Sequence, residues 1–281
     1  MNMIVMLGIL TVFYFITLTL ICVYREKINT KICNLIFVIV DIVFFFCWTF
    51  AGYQKGWLND GFLTLDNISP MVCTMIALIY LMNDKVRVAC LSMVAFLAAG
   101  MFCAMYISPE QAYLFSFYEQ ANFIYASEAS CHLVCSLFGF YLVLTDQIKP
   151  NLRYWKYGLI FTFSVVGFGV LLNFIFHKDF FGMNPYGHYS IYFVDIFGSF
   201  WATLFAYLVG ILLVLTIGLQ VTQVLYYATV KKESVPAAEQ PEPVEEPTEQ
   251  AEVTERTEEV EQAESTEQTV EELVKEGIHQ K

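Results

Sequence analysis

MIVMLGILTVFYFITLTLICV, residues 3–23, runs for 21 positions without a charged side chain. An α-helix rising about 1.5 Å per residue carries such a run across a hydrocarbon layer about 30 Å thick. No water is available there, so the segment must satisfy its own backbone N–H and C=O groups, as a helix does. Six more stretches read the same way, at approximately 32–53, 68–82, 88–107, 121–144, 155–177 and 200–228. The third is the shortest and opens at Ser69-Pro70, where proline suits a first helical turn because its missing N–H would be unpaired anyway. The expected fold class is all-α, a polytopic helical membrane bundle of about seven transmembrane helices. Residues 189–199 (YSIYFVDIFGS) either lengthen the last helix or lie along the interface as an aromatic-rich prelude.

Composition agrees. Of 281 residues, 57% are hydrophobic and only 15% charged, against about a quarter charged in soluble domains. An ordinary soluble domain is excluded. The net charge of −12 is unevenly placed: residues 233–281 hold 16 of the 27 acidic residues and 3 of the 15 basic ones, so that segment carries −13 and the remainder +1. No acidic groove and no nucleic-acid surface follow from the total. The chain therefore divides into a transmembrane domain, 1–232, and a Glu-rich tail, 233–281. The tail has no aromatic residue and contains Pro236, Pro241, Pro243 and Pro247. With too little apolar surface to offset chain entropy it is expected to be disordered, either a solvated extension or a docking motif for a cytoplasmic partner. The stretch 259–276 has the composition of a transient helix.

Orientation follows from the basic residues. Arg25, Lys27, Lys31, Lys85, Arg87, Lys149, Arg153, Lys156, Lys231 and Lys232 fall in alternate connections, against only Lys55 and Lys178 in the others. Lys and Arg concentrate in short cytoplasmic loops, so the N-terminus is expected outside and the C-terminus in the cytoplasm. The first span lacks a basic stretch before it and a small-residue cleavage pattern after it, which argues against a cleaved signal peptide. The expected location is the cell membrane, multi-pass.

Ionisable groups at bilayer depth are costly and mark candidate sites. Glu128 and His132 lie four residues apart in the fifth span, on one helical face, with Asn122 on roughly the same side. A carboxylate near an imidazole fixes its tautomer, the arrangement of general-base histidines; the plain alternative is mutual satisfaction in a packing contact. Cys131 and Cys135 repeat the spacing on a neighbouring face, and core packing is the expectation for both. Cys73 lies one turn into the third span, at the positive end of a helix dipole where reactive thiols occur, or else simply packs. Asp41 is the remaining deep acid, either paired with a basic residue at the inner surface or a proton or cation site. Asn173 and Asp195 complete the polar inventory. The expected geometry is a polar cavity opening outward or into the outer leaflet.

The eight cysteines form no CxxC pair and are read as free, buried thiols without a disulfide framework or a zinc site. His177 and His188 flank a turn-rich loop with Gly182, Pro185 and Gly187, but no acidic or cysteine pattern of ligand spacing accompanies them. No metal and no cofactor is expected. GxSxG, HExxH, Walker and dinucleotide-binding patterns are all missing.

Three landmarks occur in order: SPMVCTMIAL at 69–78, a span centred on His132, and LLNFIFHKDFFGMNPYG at 171–187 before the final helix. Together they resemble the YwaF-like bacterial integral membrane proteins and their animal relative, transmembrane protein 164, over roughly residues 30–228. The resemblance implies an acyltransferase that moves fatty acyl groups between phospholipids, with a cysteine opening one span and a histidine in a later one. Carried over, the histidine is His132 and the cysteine falls on or beside Cys73. Met71 and Val72 stand where the family tends to show a histidine, and Cys131 is the fallback nucleophile. Asn173 and Asn184 match asparagines before the last span. The implied chemistry makes Cys73, His132 and Glu128 catalytic, with Asn173, Asn122 and Asn184 binding substrate; an amide such as Asn173 would stabilise the oxyanion.

Three readings follow. One is a phospholipid acyltransferase or lipid hydrolase acting on membrane lipids. Another is a proton-coupled or small-molecule carrier or sensor using Asp41, Glu128 and His132 without covalent chemistry. The third is a scaffold that presents the acidic tail.

Overall fold

In the computed structural model, residues 3–54, 68–107, 123–177, 180–182 and 199–230 are described. Among them the regular structure is entirely helical: α1 (Met3–Tyr24), α2 (Thr30–Gln54), α3 (Ile68–Ala77), α4 (Asp84–Ile107), α5 (Phe123–Leu144), α6 (Leu152–Phe176) and α7 (Phe200–Thr229), with short 3-10 turns at Arg25–Lys27, Ile79–Leu81 and Phe180–Gly182. Six of these helices are long and apolar enough to cross a membrane. The protein is a polytopic helical membrane bundle. Asn122, Asn184, His188, Asp195 and the tail 233–281 lie outside the described residues.

The third expected span is helical over part of its length among the described residues. Its helix ends at Ala77, turns through Ile79–Leu81 and becomes extended at Met82. The ten described residues of helix reach about 15 Å. Irregular backbone within hydrocarbon is tolerated only inside protein, and Pro70, Met71, Val72, Cys73 and Ile76 of α3 are all buried.

Other starts move outward because caps set them. Asn83 Oδ1 accepts the Val86 N–H at 3.1 Å, so α4 opens at Asp84 rather than 88. Asn151 Oδ1 accepts from Arg153 N at 3.0 Å and Tyr154 N at 3.2 Å and opens α6 at Leu152. A side-chain oxygen there satisfies amides that the first helical turn leaves unpaired. Charged residues can occupy these turns because a helix projecting beyond the hydrocarbon keeps its own hydrogen bonds while its side chains reach water.

The least apolar of the six long helices, α5, is the most enclosed, every residue from Ser127 to Leu144 being buried. The more apolar helices expose Val12, Phe46, Ile160, Phe205 and Val224 instead. Lipid offers apolar side chains no reason to hide but offers polar ones no partner, so the polar helix takes the centre. Around it pack α1, α2, α3, α4 and α7, and α4 in turn is packed by α6 and α7.

Small residues let these backbones meet. At Gly139 of α5 a β-carbon would lie 2.5 Å from the Val94 carbonyl oxygen of α4, and at Gly218 of α7 it would overlap the Phe96 carbonyl. Ser136 ties three helices, donating to the Ala98 carbonyl at 2.8 Å while pairing with the Tyr14 hydroxyl at 2.9 Å.

The base-rich connections share one end of the bundle. Asn34 Nδ2 donates to Gln147 Oε1 at 2.8 Å, Gln223 Nε2 to the Pro150 carbonyl at 3.1 Å and the Tyr226 hydroxyl to Asp146 at 2.8 Å. These bonds gather the α1–α2 and α5–α6 connections with the end of α7, the end that the positive-inside rule assigns to the cytoplasm.

Candidate functional site

Near mid-bundle, α2, α3 and α5 bring together a carboxylate, three thiols and an imidazole. On α2, Asp41 and Trp48 are seven residues apart and share a face; on α5, Glu128, Cys131, His132 and Cys135 form a stripe of the same period. Cys73 of α3 faces both. Its sulfur lies 3.5 Å from that of Cys135, which in turn donates to Asp41 Oδ1 at 3.5 Å. Cys131 and His132 are buried beside Cys135 on the same stretch of α5. The Trp48 ring stands 5.9 Å, centroid to centroid, from the His132 ring. All of these side chains are buried.

Two buried atoms in this group have no hydrogen-bond partner, Asp41 Oδ2 and His132 Nδ1. The Glu128 carboxylate therefore does not hold His132 Nδ1, although the two residues share a face as expected. Helical side chains lean toward the helix N-terminus, which carries the ring of His132 back over the turn that holds Glu128.

Asn173 has a structural task in the resting protein. Its Nδ2 donates to the Phe180 carbonyl at 2.8 Å and its Oδ1 accepts the Phe180 N–H at 2.7 Å. The amide thus clamps the turn Phe180–Gly182 onto α6, where the Phe181 ring packs against Gly169 and Phe181 itself takes a left-handed φ of 56°. One N–H and the carbonyl oxygen of this amide are thus committed to holding the turn. Asn173→Leu is expected to lower stability by about 2–4 kcal/mol, because two buried backbone groups lose their partners. Thermal unfolding in detergent checks it; unchanged stability with lost turnover would return Asn173 to the substrate.

The sequence reading thus named Cys73 and His132, which the structure places in one cluster, and undervalued Asp41, Cys131 and Cys135. The available signal was the period-seven alignment of polar residues on α5 and its counterpart at Asp41 and Trp48. His177 caps the end of α6 in the left-handed region (φ 52°), away from this cluster in the chain's order.

Chemically, the cluster can supply a thiol nucleophile with proton acceptors beside it, or a set of soft and hard donors for a cation. No family model, curated protein or solved structure matches the chain.

Proposed function

We propose that this integral membrane protein is a phospholipid acyltransferase or lipid hydrolase of the cell membrane, with Cys73 as nucleophile. The observation that carries the reading is the setting of the Cys73 sulfur: a buried thiol within 4.8 Å of the Asp41 carboxylate and 3.5 Å from the Cys135 sulfur, with His132 buried one turn from Cys135 on the same helix. The resemblance borne by SPMVCTMIAL and the histidine span adds support of a different kind.

Attack by the Cys73 sulfur on a lipid ester carbonyl forms a C–S bond and breaks the ester C–O bond. The thiol proton passes to His132 and then to the departing lysophospholipid oxygen. The acyl group leaves by the reverse step, taken by a second lysophospholipid hydroxyl in a transferase or by water in a hydrolase. The unpartnered Nδ1 of His132 gives the ring a vacant acceptor position. Glu128 is the neighbouring carboxylate on the same helix face, and Asn122 and Asn184 take the part of substrate binding.

A second reading, a proton or small-ligand carrier or sensor, is favoured by the unpartnered Asp41 Oδ2. The two separate in a lipid-exchange assay on purified protein. Cys73→Ala is expected to abolish product and the thioester trapped on Cys73, and His132→Ala to slow turnover by about 100- to 10,000-fold. Unchanged turnover in both variants ends the enzyme reading. Under the carrier reading the lipid assay is blank and Asp41→Asn alters uptake.

A further inference from the structure

We infer that Asp41, Cys73 and Cys135 form a binding site for a thiophilic divalent metal ion of the zinc type inside the bundle. The inference stands apart from acyl transfer, since it relies on Cys135, which that chemistry leaves idle.

The three donors come from three helices, and their ligand atoms all lie within 4.8 Å of one another. A tetrahedral zinc ion with sulfur at about 2.3 Å and oxygen at about 2.1 Å spaces two sulfurs roughly 3.8 Å apart and sulfur from oxygen roughly 3.6 Å. The thiol–thiol and thiol–carboxylate separations here are both 3.5 Å. Two of the three edges of the coordination shell are therefore nearly in place before any ion arrives.

Charge and hydrogen bonding point the same way. Asp41 is fully buried and one of its oxygens has no partner. Among the described residues no Lys or Arg is buried, so the protein brings no cation to it there. A carboxylate at this depth is costly unless paired or coordinated. Cys131 and His132, the latter with Nδ1 unpartnered, are buried within a turn of Cys135 on α5, and a fourth position would be drawn from them or from water. Two sulfurs and one carboxylate select a borderline-soft ion; magnesium and calcium demand oxygen shells that this cluster does not offer. Binding would release the thiol protons of Cys73 and Cys135.

The test uses the full chain in detergent, reduced and stripped with a chelator, then titrated with Zn²⁺ against a chromophoric chelator and with Co²⁺ for its thiolate charge-transfer absorption. One ion per chain with that absorption is expected. Cys135→Ser and Asp41→Asn should each weaken binding by at least about tenfold, whereas Cys103→Ser, an exposed thiol, should not. Zn²⁺ should also protect Cys73 and Cys135 from alkylation in the unmutated chain, read by mass spectrometry, which covers a variant that fails to fold. Binding unchanged by both substitutions, no cobalt–thiolate absorption, or equal alkylation with and without Zn²⁺ would overturn the site. No metal binding by an unmutated chain that turns over lipid removes this inference alone, and metal binding by an unmutated chain without lipid turnover removes the acyltransferase reading alone.

Discussion

Gly218→Ala is expected to cripple folding of the bundle. The added methyl would overlap the Phe96 carbonyl of α4, and a main-chain group cannot turn aside as a flexible side chain can. Phe96 is itself fully buried, with its neighbours Val94, Ala95 and Ala98 equally enclosed. Relief requires α7 to move off α4 along its length. Overpacking of a filled core costs about 1–3 kcal/mol and sometimes more, and a clash between two backbones belongs at the upper end. Gly210→Ala on the same helix is the control, because a β-carbon there meets nothing within 4 Å. It should be neutral or stabilise by about 0.5–1 kcal/mol through lost chain entropy. Thermal unfolding of the two variants in one detergent reads the difference. Equal stability would show that α7 does not approach α4 as closely as described.

Asp41→Leu is expected to act in the opposite direction on stability and to remove function. The carboxyl group is enclosed, its Oδ2 lacks a partner, and its Oδ1 receives only a weak bond from the Cys135 thiol at 3.5 Å. Burying an uncompensated polar group costs about 1–3 kcal/mol in proteins, so replacing it with an apolar side chain of similar size should raise stability by that order. A polar group kept at such cost is a mark of function, and stabilising it away exchanges activity for robustness. Metal binding and lipid turnover should both fall in the variant. A loss of stability beyond about 1 kcal/mol, the worth of an ordinary hydrogen bond, would mean that Asp41 is fully satisfied in the resting protein, and the argument from its unpartnered oxygen would go.

The membrane character of the protein was legible because it depends on run length alone. Residues 3–23 would span a bilayer in any context, and the alternation of basic loops holds whatever the helices touch. The path of residues 68–82 was harder to read. They are mostly apolar, and composition does not show that the helix gives way after Ala77 to a turn and extended backbone at Met82. The same limit explains Cys131 and Cys135. A cysteine in an apolar span packs as a small hydrophobe, and only the arrival of Cys73 and Asp41 beside Cys135 turns it into part of a donor set. Asn173 matched a landmark of the resemblance, yet its partner Phe180 lies in an aromatic turn whose path depends on Phe181 seating against Gly169.

By itself the sequence determined the environment: helices, about how many, and which connections carry the basic residues. It could do so because transfer into hydrocarbon is decided segment by segment, each helix satisfying its own backbone. Tertiary structure alone decided which buried polar atoms meet. Asp41, Cys73 and Cys135 are far apart along the chain, and the close passage of α2, α3 and α5 around a central polar helix brings them together. Side-chain encounters of that kind depend on how helices cross, which glycine-mediated contacts such as Gly139 on Val94 fix and which no single segment encodes.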